Sequence, residues 1–241
     1  MRFTPAFWFR FWTNGFCLLL LAGSARWLFP NFGAFPRMEA WSMILGYLSF
    51  VLIGVTLLIG PIKTWLPASW QSSCLTLRRD IGIWAGLTGV LHVLLVLVLF
   101  QGTPRLMILH DTNAPKADGW LGLFLLASDD GNTLPMPNWS MTGVANYIGL
   151  AAFCILLSLW LTSSRFAEKQ LGGSSWKRLH LYNPALFLLV IFHGLIYIHS
   201  IKGEPHSFAD FLWLGGAVLF LRLIGFVTTV VRRQRRQTTS L

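Results

Sequence analysis

The sequence predicts an all-α integral membrane protein: a bundle of six transmembrane helices with both termini in the cytoplasm. Of its 241 residues, 54% are hydrophobic and only 12% are charged, and the mean hydropathy is +0.59. Soluble domains carry about a quarter charged residues, so this chain has too much apolar surface for one globular core. A span of about 20 residues crosses the hydrocarbon layer. Such spans must be helical, because lipid offers no partners to backbone groups.

Six apolar runs separated by polar loops define the expected helices, which together form a single domain over residues 1–241. The first run could instead be a signal peptide, since a patch of small residues follows a short apolar core, but the aromatic residues on both sides favour a membrane helix. Pro61 is expected to end the second span because it lacks an N–H. The expected spans are 11–29, 41–60, 80–100, 143–161, 180–201 and 208–231.

The longest connection, residues 101–142, is expected to be an external loop. It is rich in Gly, Pro, Asn and Asp. It also contains an apolar piece, Trp120 to Ala127, that is too short to cross the bilayer. We expect this piece to lie at the membrane interface or to re-enter the membrane.

The formal net charge of +10 comes from basic residues near the helix ends. Most of them fall on the side that is cytoplasmic in the six-span topology, as the positive-inside rule predicts. The basic tail after residue 231 is expected to touch anionic lipid head groups, and nucleic-acid binding is not expected. The three cysteines are too scattered for a disulfide framework or a cysteine-based metal site.

Two of the expected helices carry a histidine at a similar depth. His92 lies thirteen residues beyond Arg79 in the third span, and His193 lies fifteen residues beyond Arg178 in the fifth. These helices run in the same direction, so both imidazoles are expected in the outer half of the membrane. They can ligate a haem iron from its two faces. The alternative is that each histidine only hydrogen-bonds a neighbouring helix, although ionisable residues at this depth are functional candidates by default.

His180 is a third candidate, about 20 Å nearer the cytoplasm than His193. It could hold a second haem, or be an interfacial histidine near a quinone or a haem propionate. An ideal helix would point the two side chains well over a right angle apart, but Pro184 between them can bend the helix. Arg79 occupies the matching inner position of the third helix and is a poor iron ligand.

Glycines trace one side of the third span up to His92. Their missing side chains would admit either a neighbouring helix or a flat ligand, and both interpretations stay open. Gly86 and Gly89 are therefore candidate cofactor contacts.

The histidines at 110, 199 and 206 fall at or beyond the outer surface. They are not expected to be ligands, although an external metal or substrate site could draw on them.

Two short motifs carry a resemblance to a known family. They are Arg78-Arg79-x-x-Gly82 followed by Leu91-His92, and Trp176-x-x-Leu179-His180 followed by His193. With them the chain resembles the ferric reductase-like transmembrane domain family, and within it the bacterial MsrQ/YedZ branch of haem-binding membrane subunits. The resemblance covers about the middle half of the chain. It implies six helices, an inner-membrane location, and one or two b-type haems held by His92 and His193, with His180 as a further haem-linked histidine and Arg79 and Arg178 beside the cofactor.

The function implied is that of an electron-transfer subunit of an oxidoreductase. Electrons would come from quinol or a cytoplasmic flavoprotein, since only about ten residues follow the last span and a flavin and nicotinamide domain is not expected there. They would pass to a periplasmic acceptor such as a methionine sulfoxide reductase, with quinone or flavin as a further cofactor. Two alternatives stay open: a surface ferric or cupric reductase on the same haem frame, and a transporter or assembly protein with structural histidines.

Overall fold

The computed structural model describes residues 5–30, 32, 35–99, 122–126, 135–202 and 205–238. Within these residues the chain is helical apart from turns and one pair of two-residue strands, β1 (Leu125–Leu126) and β2 (Met136–Pro137), which pair antiparallel. The helices are α1 (Pro5–Leu28), α2 (Arg37–Lys63), α3 (Ala68–Leu99), α4 (Met141–Leu161), α5 (Arg165–Leu171), α6 (Gly173–His180), α7 (Asn183–Ile196) and α8 (Pro205–Thr238).

Five helical stretches in the described part of the chain are long and apolar enough to cross a membrane. They match the second to sixth predicted spans, so an all-α membrane bundle is confirmed. The predicted first span is helical as α1, but polar residues such as Asn14 and Arg26 make it less apolar. A sixth span and cytoplasmic termini therefore stay predictions. The five stretches are Arg37–Lys63, Ala68–Leu99, Met141–Leu161, Gly173–His199 and Ala209–Val231.

Pro61 does not end the second helix, contrary to the sequence-based expectation. α2 continues through it to Lys63. A proline inside a helix leaves the carbonyl four residues earlier without its N–H partner. Here that carbonyl belongs to Leu57, and it accepts a hydrogen bond from Nη1 of Arg222 at 3.2 Å. A donor from α8 thus replaces the bond that the proline removes.

The third helix starts earlier than predicted. α3 begins at Ala68, between the predicted second and third spans, where the sequence predicts a polar loop. Residues 68–77 contain no glycine or proline, so nothing in them stops a helix. The 32 residues of α3 give a length of about 48 Å, which exceeds the thickness of the hydrocarbon layer.

The fifth span is interrupted, where the sequence predicts one helix over 180–201. α6 ends at His180, and α7 begins after a two-residue turn. Pro184 stands in the first turn of α7, where its missing N–H breaks no helical hydrogen bond. Beyond α7 the helix widens into a π-helical stretch, Tyr197–Lys202. The predicted bend at the proline is therefore present, as a break just before it.

The helices alternate in direction along the bundle. α2 packs against α3, α7 and α8, and α4 packs against α3 and α7. We call the end at which α2 finishes the basic end, because Lys63, Arg78 and Arg79 lie there. The opposite end, where α2 starts at Arg37, is called the Arg37 end. α3 and α7 both run from the basic end towards the Arg37 end, in the same direction as each other.

Three aromatic rings hold the centre of the bundle together. The ring of Phe50 on α2 is stacked with that of Phe187 on α7 and with that of Phe211 on α8, at centre-to-centre distances of 5.2 Å and 3.9 Å. All three side chains are buried. Buried aromatic pairs stabilise a fold more than the burial of their surface area alone would. This cluster therefore fixes the positions of α7 and α8 on α2.

The described part of the loop 101–142 covers the Arg37 end of the bundle. It comprises residues 122–126 and 135–142, so the apolar piece predicted over 120–127 lies only partly within the described residues. Leu123 is buried, and the carbonyl of Phe124 accepts a hydrogen bond from the backbone N–H of Asn138 at 2.8 Å. This segment forms a small cap over the helix ends.

Polar side chains attach α1 to α3. Arg10 makes a bidentate ion pair with Asp80, with Nη2–Oδ1 and Nε–Oδ2 distances of 2.9 Å and 3.2 Å. Asp80 is only 2% exposed, whereas Arg10 is 55% exposed. One turn further along, Nε1 of Trp84 donates to Oδ1 of Asn14 at 2.7 Å. α1 is therefore positioned by two specific contacts at the basic end.

Replacing Arg10 with Gln should lower the Tm of the purified protein, because it leaves the Asp80 carboxylate buried and unpaired. Solvent screening of the half-exposed arginine reduces the effect, and we expect a loss of about 2–6 °C. Arg26→Gln removes an exposed charge from the same helix and should change the Tm by less than about 1 °C. The double variant Arg10→Gln/Asp80→Asn should recover part of the loss. An unchanged Tm in Arg10→Gln would contradict a stabilising ion pair.

Candidate metal centre

His92 of α3 and His193 of α7 lie beside each other inside the bundle. Their ring centres are 6.5 Å apart, and their ring planes are inclined by 74°. Both side chains are partly buried and line one cavity at the Arg37 end. The structure thus brings together the two histidines that the sequence places at matched depth.

Each imidazole donates a hydrogen bond through Nδ1 to a backbone carbonyl of a neighbouring helix. Nδ1 of His92 lies 2.8 Å from the carbonyl oxygen of Ser42 on α2, and Nδ1 of His193 lies 2.8 Å from that of Ala145 on α4. A carbonyl can only accept, so the proton of each neutral imidazole is on Nδ1. Nε2 is then the basic nitrogen, and no hydrogen bond to either Nε2 is found among the described residues.

A glycine one helical turn after each carbonyl makes room for the ring. A Cβ placed on Gly46 would lie 3.1 Å from Nδ1 of His92, and a Cβ on Gly149 would lie 2.8 Å from Nδ1 and Cε1 of His193. Residues four apart lie on one face of a helix. Each ring therefore rests in the same kind of seat, a carbonyl at one position and a glycine at the fourth position after it. α2 provides the seat for α3, and α4 provides the seat for α7.

The separation of the two rings suits one metal ion between them. A bond from a metal to imidazole is about 2 Å long, and a five-membered ring with bonds of about 1.35 Å has its centre about 1.1 Å from each atom. Two imidazoles on opposite sides of one ion would therefore have centres about 6.3 Å apart. The observed 6.5 Å agrees with that value.

The composition of the site points to a metal that brings its other ligands with it. No group of three or more His, Cys, Asp or Glu side chains able to hold a metal ion occurs in the described part of the chain. A zinc ion would need three or four protein ligands. The histidine pair instead adjoins a cavity of about 1050 Å³, lined largely by apolar side chains. Two imidazoles at the wall of such a cavity would suit a haem, whose iron accepts histidine ligands.

A second set of contacts links His193 to the cap over the cavity. The ring of Tyr197 lies 5.0 Å from the ring of His193, and its hydroxyl donates to Oδ1 of Asn146 at 2.5 Å. The amide of Asn146 donates in turn to the carbonyl of Leu123 at 2.8 Å. Leu123 and Phe124 both line the cavity. The side chain of the buried Asn146 thus joins the segment that carries His193 and Tyr197 to residues 122–126.

The two glycines proposed as cofactor contacts occupy different surroundings. A Cβ on Gly86 would lie 2.0 Å from Cδ1 of Trp160, so this glycine admits a neighbouring helix. Gly86 does not line the cavity of the histidine pair, whereas Gly89 does. A Cβ on Gly89 would lie 2.4 Å from a methyl group of Leu156, so Gly89 also serves the packing of α4 on α3.

His180 lies at the last residue of α6, away from the histidine pair and outside its cavity. Its ring lies 4.1 Å from the ring of Trp176, and its Nε2 is buried without a hydrogen-bond partner among the described residues. Arg79 makes an ion pair with Glu168 at 2.5 Å, and its guanidinium carbon lies 5.9 Å from the centre of the Trp176 ring. The side chain of Arg178 is exposed on the outside of the bundle.

The remaining histidines do not join these groups in the described structure. His199 belongs to the π-helical stretch, and its side chain is exposed. His110 and the side chain of His206 lie outside the described residues. The predictions for these two histidines are therefore not tested.

Sequence reasoning did not identify the seats of the two rings. Ser42 with Gly46 and Ala145 with Gly149 are both pairs of small residues four apart, a spacing typical of closely packed membrane helices. That spacing could have marked the two faces on which a neighbouring helix comes close. It could not have shown that a histidine, rather than an apolar side chain, occupies each gap.

Comparison with known proteins gives a match to a family of membrane proteins. The family described as "Ferric reductase like transmembrane component" matches residues 45–191, which is more than half of the chain. This range contains His92, and it ends two residues before His193. The matched region thus includes α3, α4 and most of α7.

Individual relatives show the same likeness. The chain is 35% identical to magnetosome protein MamZ of Magnetospirillum gryphiswaldense over 32% of its own length, but over only 14% of that of MamZ. It is 29% identical to the protein-methionine-sulfoxide reductase heme-binding subunit MsrQ of Rhodospirillum rubrum over 91% of its own length and 87% of the relative. For MsrQ of Azospira oryzae the identity is 29%, over 68% and 57% of the two chains.

The family match covers α3, α4 and most of α2 and α7, although Ser42 and His193 lie just outside it. The Rhodospirillum rubrum relative, of similar length, extends the likeness to 91% of the chain. The all-α membrane bundle agrees with both. The chain belongs to the family of ferric reductase-like transmembrane components.

Proposed function

We propose that the chain is a haem-binding electron-transfer subunit of a bacterial inner membrane, in which His92 and His193 would hold one b-type haem. The observation that carries the proposal is the geometry of this pair: ring centres 6.5 Å apart, each Nδ1 bound to a carbonyl, and a large apolar cavity beside them. Bound haem supplies an iron that exchanges single electrons between its ferrous and ferric forms.

The residues around the pair would orient the ligands and tune them. The carbonyls of Ser42 and Ala145 would fix one tautomer of each imidazole. They would also make Nε2 more basic and so a stronger ligand for the metal. Gly46 and Gly149 would let each ring come close to the helix that provides its seat. The two histidines are therefore proposed to hold a group that carries electrons.

The position of the pair supports an outward transfer of electrons. The basic end of the bundle is expected to face the cytoplasm, in the six-span topology with both termini inside. The histidine pair lies towards the opposite end, beneath the cap formed by residues 122–126. Electrons from quinol or a cytoplasmic flavoprotein would then reach an acceptor outside. The names of the MsrQ relatives support a methionine sulfoxide reductase as that acceptor.

His180 is proposed to serve a second haem-linked position nearer the cytoplasm. Its buried Nε2 lacks a partner in the described structure, and a buried polar atom without a partner calls for a ligand or water. Arg79 is engaged by Glu168 and would provide charge near this position instead of a bond to iron. Gly89 lines the cavity of the histidine pair and is proposed as a contact of the haem that this pair would hold.

The main proposal is tested by an absorption spectrum of the purified protein. Protein made in cells supplied with haem should show a Soret band and, after reduction with dithionite, the sharp visible bands of a b-type cytochrome. We expect about one or two haems per chain. Protein that carries no haem band under these conditions would contradict the proposal and favour structural histidines.

Removal of either ligand should abolish the haem of the pair. His92→Ala and His193→Ala are expected to lose the low-spin spectrum of this haem, because one remaining imidazole cannot hold the iron from both sides. His180→Ala should keep that spectrum, and His199→Ala serves as a control at an exposed position. A His193→Ala protein with its full haem content would show that the proposed pairing is wrong.

The glycine seats can be tested without touching a ligand. Gly149→Ala places a methyl group within 2.8 Å of the His193 ring, so the ring must move. We expect about tenfold weaker haem retention during purification, which corresponds to about 1.4 kcal/mol and lies in the lower part of the range of about 1–3 kcal/mol for overpacking. Gly216→Ala on α8 is the matched control, because a Cβ there would meet nothing within 4 Å. Equal haem retention in both variants would show that Gly149 does not position His193.

A further inference from the structure

A second cavity lies between α2 and α8 at the basic end of the bundle, apart from the histidine pair. Its volume is about 260 Å³. The helices come close here: a Cβ on Gly225 would lie 2.5 Å from the ring of Pro61, and a Cβ on Gly60 would lie 2.9 Å from Nη1 of Arg222. The cavity is lined by Gly60, Pro61, Thr64, Arg222, Gly225, Phe226 and Thr229.

Arg222 supplies this cavity with hydrogen-bond donors and a positive charge. One of its N–H groups donates to the carbonyl of Leu57. A guanidinium carries several further donors and no acceptor, and no other hydrogen bond of Arg222 occurs in the described residues. A charged group inside a membrane helix normally pairs with an opposite charge.

No carboxylate among the described residues forms an ion pair with Arg222. Asp80 is paired with Arg10 and Glu168 with Arg79. The other two described acidic residues, Glu39 and Asp210, line the cavity at the opposite end of the bundle. Arg78, by contrast, lies near enough to Arg222 for the two positive charges to repel. The local charge therefore favours an anion.

The other walls of the cavity indicate what kind of anion it is. The hydroxyls of Thr64 and Thr229 donate to the carbonyls of Pro61 and Gly225 at 2.7 Å and 2.8 Å, so their oxygens can accept hydrogen bonds. Phe226 lines the cavity and is 65% exposed on the outer surface of the bundle, where the lipid chains would lie. The site combines a cation, hydroxyl acceptors and an apolar edge.

We propose that this cavity binds the head group of an anionic phospholipid. The phosphate would pair with the Arg222 guanidinium, and head-group hydroxyls, such as those of a glycerol unit, would donate to Thr64 and Thr229. The acyl chains would lie along α8 past Phe226. Basic pockets between membrane helices are known to hold such head groups, and anionic lipids are abundant on the side that basic residues face.

The test compares lipids that stay bound during purification in a mild detergent. Wild-type protein should retain about one anionic phospholipid per chain, measured by mass spectrometry of the intact complex and by analysis of extracted lipid. Arg222→Gln should retain at least about fivefold less. Arg37→Gln removes the same charge from the exposed start of α2 and should retain as much as wild type. Equal retention in wild type and Arg222→Gln would overturn the proposal.

A titration of wild-type protein alone decides the question if Arg222→Gln fails to fold. Delipidated protein should gain thermal stability on addition of phosphatidylglycerol, as expected when a ligand binds only the folded state, and should gain none with phosphatidylcholine or inorganic phosphate. An equal gain with phosphatidylcholine would mean non-specific lipid binding, and an equal gain with inorganic phosphate would mean an anion site without a lipid. Either result contradicts the proposal. The haem held by the histidine pair should be retained by Arg222→Gln as by wild type, because Arg222 does not line the cavity of that pair.

Discussion

Two hydrogen bonds, from Nδ1 of His92 to the Ser42 carbonyl and from Nδ1 of His193 to the Ala145 carbonyl, determine what the centre of this bundle can do. An imidazole N–H inside a membrane must find a partner, and a carbonyl on the next helix is available only where the helices come close. The glycines that permit this approach are thus part of the same constraint. Once both protons are held on Nδ1, two equivalent basic nitrogens remain in one apolar space.

The same requirement for partners explains features far from the histidines. Pro61 would leave the Leu57 carbonyl unsatisfied within α2, and an arginine in the middle of α8 supplies the donor. Asp80 is buried because Arg10 reaches it from α1. A polar contact of this kind between two helices therefore also fixes their register, since the two partners must lie at one height.

Much of this arrangement could be predicted from the sequence, because depth in a membrane can be read from apolar runs and their basic ends. That reasoning placed His92 and His193 at one level. The sequence could not show whether a ligand or a neighbouring helix lies beside Gly86. That space is filled by Trp160, which is far from Gly86 along the chain. The continuation of α2 through Pro61 also depends on a contact between helices. Local sequence preferences do not contain that information.

The two ring seats have a consequence for how the protein is put together. Each is made within one antiparallel pair of helices, α2 with α3 and α4 with α7, so each half of the centre can form before the halves meet. A group bound by both imidazoles would link these two halves. This link would add to the stacking of Phe50 on Phe187, which already joins α2 to α7, so the bundle with its cofactor should be more rigid than the bundle without it.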